Sequence, residues 1–300
     1  MSSFRKRVDG LDRWIKILIA MLAVMLCVCL CTLLYQPVRA LLFPPAPTGT
    51  AAATPPGMPT SPPGEGSLCP QETIDAIYDL RAGYELPDYL QQEDAEKRGG
   101  EFDVNRYFSV LKHASMEPGY VLDYVYYWDG MGGSPVLYAR KAEAPAYRTF
   151  SEYSRAVSTP APGTAAGSWL DHVRTDGTPE GFLELVVLRT MGSQFYLFWH
   201  SGYNDARIVC NQTMTEAIVS SLEGTNFGTP LTAEQAAAAR ALDTAPRVEI
   251  GDRQVVVKIV MFTRWGGFYR STFTLQRDFP HTFEKPRSEE LVPYDCGIMF

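Results

Sequence analysis

Apolar positions along the chain fall into three regimes. Residues 17–35 form an uncharged, mostly apolar run of nineteen. As a helix rising about 1.5 Å per residue, the run extends roughly 28 Å, close to the hydrocarbon thickness of a bilayer. The next stretch, 36–66, has no period. Eight prolines stand between Pro44 and Pro63, set among Ala, Thr, Gly and Ser. Such a segment has nothing to bury and no reason to fold, and its prolines favour an extended chain. From residue 67 onward the pattern changes again, to apolar positions recurring at helical or strand spacing.

Helical spacing predicts a first helix from Cys69, with Ile74, Ile77, Tyr78 and Leu80 on one face. Further helices are expected over 104–114, 150–156, 214–222 and 231–242. Thr232 and Gln235 form a capping box at the start of the last one. Strand spacing predicts a hairpin of 120–128 and 136–140 across Gly130-Met131-Gly132-Gly133. A second hairpin is expected from 182–189 and 194–200, and a short strand at 207–210. A third joins 247–250 to 254–262 across Gly251-Asp252, and 267–275 pairs back after it. Hairpins in sequence, with no alternating βαβ units, give an α+β class: a mainly antiparallel sheet built from β-hairpins with helices grouped around it, preceded by a single transmembrane helix. The expected organisation is a tail (1–16), a span (17–35), a proline-rich stalk (36–66) and one globular domain (67–300).

Charge gives the span a direction. Arg5, Lys6, Arg7, Arg13 and Lys16 precede it, and Arg39 follows it closely. By the positive-inside rule the N-terminus is cytoplasmic and the large domain extracytoplasmic, at the plasma or cytoplasmic membrane. Two alternatives compete with an uncleaved anchor. A signal peptidase would meet Val38-Arg39-Ala40, where Val is not a small residue. A lipid would need Cys27, Cys29 or Cys31, which follow Leu26, Val28 and Leu30. The net charge of −7 and the lack of clustered Lys and Arg exclude nucleic acid as a partner. The expected partners are the membrane, through one helix, and a protein or cell-surface ligand.

Candidate chemistry is sparse. The chain has four histidines and contains no HExxH, nucleophile-elbow, Walker or dinucleotide-binding motif. No cofactor or metal is expected. The densest polar segment is Trp199-His200-Ser201-Gly202-Tyr203-Asn204-Asp205, a loop at a strand end. There His200 is the candidate general base and Asp205 its orienting carboxylate, with Tyr203 and Asn204 as binding groups. The competing reading is a corner in which Asn204 and Asp205 bond their own backbone. Asp171 and His172 are adjacent and do not converge on one ligand. Tyr126, Trp128 and Asp129 are candidates for an aromatic binding platform, against the alternative that such strand aromatics pack the core. Beyond the span lie Cys69, Cys210 and Cys296, enough for one disulfide with a thiol left over, and Cys210–Cys296 is the expected pair. These features point to an outward-facing module that binds, senses or scaffolds. The alternative is a membrane-tethered hydrolase with His200 as its base.

Overall fold

A computed structural model describes residues 68–158, 167–203, 205–225 and 228–298. The expected span at 17–35 and the stalk at 36–66 lie outside the described residues. Among the described residues, no helix is long and apolar enough to cross a membrane.

The fold is α+β, with antiparallel sheets and several helices. It opens with helix α1 (Gln71–Arg81), whose Ile74 and Ile77 are buried. The helix expected over 104–114 is only a 3-10 turn, Val104–Ser109, started by Asp103, whose side chain accepts from Asn105 N. The chain then enters strand β1 (Ala114–Met116). Strands β2 (Tyr120–Trp128) and β3 (Gly132–Lys141) form the first expected hairpin, with Trp128 opposite Gly133. Its turn is shaped by Asp129 Oδ1, which accepts from Met131 N and Gly132 N at 2.9 and 2.6 Å. Helix α2 (Phe150–Ser158) follows. Strand β4 (Val173–Thr175) then returns to β1 as a two-stranded ribbon.

The next element departs from the sequence reading. Residues 182–189, expected as a strand, lie inside helix α3 (Pro179–Met191). Thr178 caps it by accepting from Gly181 N at 3.1 Å, and Pro179 fills the first turn, where no N–H is needed. Phe182, Leu183, Leu185, Val186, Val187 and Leu188 are all buried, so the helix is apolar around most of its circumference. That removes the amphipathic period by which a surface helix is recognised. Its one buried acid, Glu184, accepts from Lys112 N and His113 N at 2.9 and 2.7 Å. Of the strand expected at 194–200, two residues remain, β5 (Phe198–Trp199), which pairs with the start of β3. A single helical turn, α4 (His200–Tyr203), continues from it.

The largest sheet is built from the rest of the chain. Strand β6 (Arg207–Val209) leads to helices α5 (Gln212–Glu223) and α6 (Ala233–Arg240), the latter started by the expected box of Thr232 and Gln235. Strands β7 (Arg247–Ile250) and β8 (Gln254–Thr263) form the expected hairpin across Gly251 and Asp252. Strand β9 (Gly267–Gln276) pairs with the whole of β8. Strand β10 (Arg287–Val292) closes the far edge of β9, while β6 and β7 share the other edge of β8.

Alternation along this sheet separates two cores. Val255, Val257, Ile259, Met261, Phe273 and Leu275 lie in the main core together with buried residues of α3 and of the β2–β3 hairpin. Val260, Phe262, Phe268 and Val292 face the opposite way, where Ile218, Val219, Leu222, Ala236 and Ala239 of α5 and α6 cover them. This division corrects the expected Cys210–Cys296 bridge. On β6 and just beyond it, Ile208 and Cys210 belong to the main core, while Val209 belongs to the second. Cys296 sits in the second core as a buried free thiol, on the other side of the sheet. Cys210 therefore pairs with Cys69, just ahead of α1, with Cα atoms 5.2 Å apart.

Candidate functional site

The segment between β5 and β6 borders a hollow of about 240 Å³ lined by Trp199, Gly202, Asp205, Arg207, Phe262 and Arg264. Sheet register assembles it. Arg207 at the head of β6 lies opposite Phe262 on β8, and Arg264 follows two residues later. Trp199 pairs with Gly132 at the tip of the β2–β3 hairpin. The indole is 57% exposed, high for a residue whose large apolar area is usually covered. Its φ of +49° lies in the left-handed region, which costs a non-glycine residue about 1–2 kcal/mol. Strain of this kind persists where the surrounding structure over-determines it and gathers at ligand-holding walls.

Asp205 is the unusual member. Its Oδ1 is buried and has no hydrogen-bond partner among the described residues. Burial pushes the carboxyl above its ordinary range, against the pull of Arg207, Arg81 and Arg264. Arg81 is already committed. It donates to Tyr107 Oη at 3.0 Å, to Gln194 O at 2.7 Å and to Met191 O. Arg207 and Arg264, by contrast, make no salt bridge and no side-chain hydrogen bond with any described residue, and both are exposed. A desolvated acceptor, two uncommitted guanidiniums and an aromatic wall are the groups that fix and orient a bound molecule.

The other candidates separate. The side chains of His200 and Tyr203, and the whole of Asn204, lie outside the described residues; the backbone of His200 begins α4. Tyr126 does not present an outward platform: it is 1% exposed and its hydroxyl donates to Tyr196 O at 2.7 Å. From Leu122 to Tyr126 strand β2 is buried continuously, so neither of its faces turns Tyr126 outward. Trp128 is partly buried and tilts against Phe198 with ring centroids 4.9 Å apart. Trp128 and Asp129 do line a second hollow, of about 560 Å³, with Tyr127, Phe150, Glu93 and Asp94. There Asp129 shapes the hairpin turn.

The three remaining histidines gather at the β1–β4 ribbon. His113 Nδ1 lies 2.7 Å from Asp176 Oδ2, and the hydrogen bond to Asp176 holds the imidazole above its ordinary range. His172 Nδ1 lies 2.8 Å from Glu117 Oε2, and its ring stacks on Tyr120 at 4.0 Å. His281 is buried, with Nε2 3.3 Å from Thr175 Oγ1. Each is tied into the ribbon, and no Ser, Thr or Cys side chain appears among the described residues lining the Asp205 hollow.

Sequence reasoning picked out Asp205, in a segment that begins at Trp199, but gave Trp199 no role and missed Arg207, Phe262 and Arg264. Nothing local marks those three; only the pairing of β6 with β8 brings them to the loop. In comparisons with known proteins, the chain matches no protein-family model, no curated protein and no solved structure.

Proposed function

We propose that the chain is a single-pass, membrane-tethered binding module whose globular domain stands outside the cytoplasmic membrane, with the Asp205 hollow as its ligand site. The observation that carries the binding role is the buried Asp205 oxygen, which has no partner among the described residues, beside two arginines that make no ion pair or side-chain hydrogen bond with any of them. A group left desolvated costs stability unless something occupies it. The tether rests on the apolar run at 17–35, its orientation on the basic residues ahead of that run, and its reach on the proline-rich stalk. The Cys69–Cys210 disulfide supports the outward placement, because such bonds persist in oxidising compartments and are rare in the cytosol. The hydrolase alternative requires His200 to reach a nucleophile, and the described lining of the hollow offers Trp, Gly, Asp, Arg and Phe.

Protease added to intact cells tests the placement. The expected result is that the domain is cut away at its stalk before the cells are opened, while a cytoplasmic control survives. Cleavage that begins only after permeabilisation contradicts it.

A further inference from the structure

The composition of the hollow restricts what it takes, and this restriction rests on the binding reading above. The chain as a whole is acidic, at −7. Yet Arg207 and Arg264 line one small cavity with no carboxylate in salt-bridge contact among the described residues. Guanidinium forks match carboxylates geometrically, and two of them on one anion give charge-assisted hydrogen bonds from two directions. Asp205 sets the second condition. A bare anion brought to the arginines would also approach a carboxylate whose Oδ1 has no donor among the described residues. The favoured guest therefore carries a hydrogen-bond donor next to its own carboxylate, so that Asp205 is satisfied while the arginines are. Size sets the third condition. At about 240 Å³ the cavity falls below the range of whole-ligand pockets, so it suits one residue or one sugar-sized group at the end of a larger molecule. The exposed indole of Trp199 offers the flat apolar surface against which such a group lies.

We propose that the hollow recognises a terminal group bearing a carboxylate with an adjacent hydrogen-bond donor, Arg207 and Arg264 holding the carboxylate, Asp205 the donor and Trp199 the body of the group. The carboxy-terminal residue of a peptide and a sugar acid share this chemistry, and titration distinguishes them.

The experiment titrates the purified full chain by calorimetry with five probes: N-acetyl-alanyl-alanine, its carboxamide, glucuronate, glucose and, as a carboxylate without an adjacent donor, acetate. Binding of either carboxylate, with loss of affinity in its uncharged counterpart, supports the proposal and names the source. Arg264→Ala and Arg207→Ala should each weaken that binding on the order of tenfold or more, since a hydrogen bond to a charged group is lost. Asp205→Asn should weaken the same carboxylates, while acetate, which has no adjacent donor, loses nothing. Thermal melts of the variants confirm that they are folded. Equal binding of charged and uncharged probes, binding untouched by both arginine variants, or no binding of either carboxylate overturns the proposal. If a carboxylate binds but the protease result places the domain inside the cell, the site stands and the outward placement falls. If the domain lies outside and no carboxylate binds, the tethered module stands without this ligand class.

Discussion

Asp205 is a side chain that opposes folding and that the proposed recognition would use. Its carboxyl is raised by burial, so the folded chain holds a proton more firmly than the unfolded chain does. Between the ordinary carboxylate pKa and the raised folded value, the native state binds more protons, and stability rises as pH falls through that window. At neutral pH the ionised, desolvated group is a liability. Asp205→Asn is therefore expected to melt no lower than the native chain at pH 7, and to gain about 1 kcal/mol, since a buried charge costs more than a buried amide. The gain should vanish near pH 4. Melts at the two pH values check this, and a variant less stable than the native chain at pH 7 contradicts it. The loop carrying Asp205 was legible as polar groups at a strand end. Asp205 was expected there as the orienting partner of His200, whereas burial and the absence of a described partner are the grounds on which a binding role is proposed for it. That distinction depends on solvent exposure, which sequence spacing does not encode.

At the scale of elements, legibility followed the strength of local signals. The β7–β8 hairpin has Gly251-Asp252 between two β-branched runs and forms in the expected place. The Thr232–Gln235 box starts α6 as its chemistry dictates. Helix α3 was misread because Phe182 to Leu188 are buried on every side, and a short continuous apolar run fits a buried strand as well as a buried helix. The arbitrating signals were Thr178-Pro179 at its start and thirteen residues of length, more than a typical strand. Strand β10 was invisible for the opposite reason. Arg287, Ser288, Glu289 and Glu290 are exposed at a sheet edge, where charge protects against further pairing. The turn between β8 and β9 carries a sharper requirement. Gly267 has φ +70°, and an added Cβ would meet Val292 O at 2.1 Å and Tyr294 N at 2.5 Å, both backbone atoms. Gly267→Ala is expected to cost roughly 2–4 kcal/mol, lowering the melting temperature on the order of 10 °C. Gly119→Ala, at φ +85° with open space around it, should cost only about 1 kcal/mol. Equal effects from the two substitutions would contradict the close approach of the C-terminal segment.

At the scale of the molecule, one covalent link ties the start of the domain to its centre. Cys69 lies just ahead of α1, and Cys210 directly follows β6, 141 residues later in sequence. In the chain-entropy account, closing a loop of that length stabilises the fold by about 5 kcal/mol. The start of α1 is thus fastened to the sheet that forms the floor of the Asp205 hollow, through Arg207 and Phe262. The sequence offered three cysteines beyond the apolar run and no means of choosing among their pairings. The choice is made by the sheet, which places Cys210 and Cys296 in different cores. The same bond bears on compartment, since a domain facing the cytosol would keep these thiols reduced. The most direct test is to alkylate free thiols in intact expressing cells, digest the full chain without reductant, and read the cysteine peptides by mass spectrometry. The account predicts a Cys69–Cys210 crosslinked peptide, with Cys296 present as a thiol. Recovery of Cys69 and Cys210 as separate alkylated peptides, or of Cys210 joined to Cys296, would contradict it.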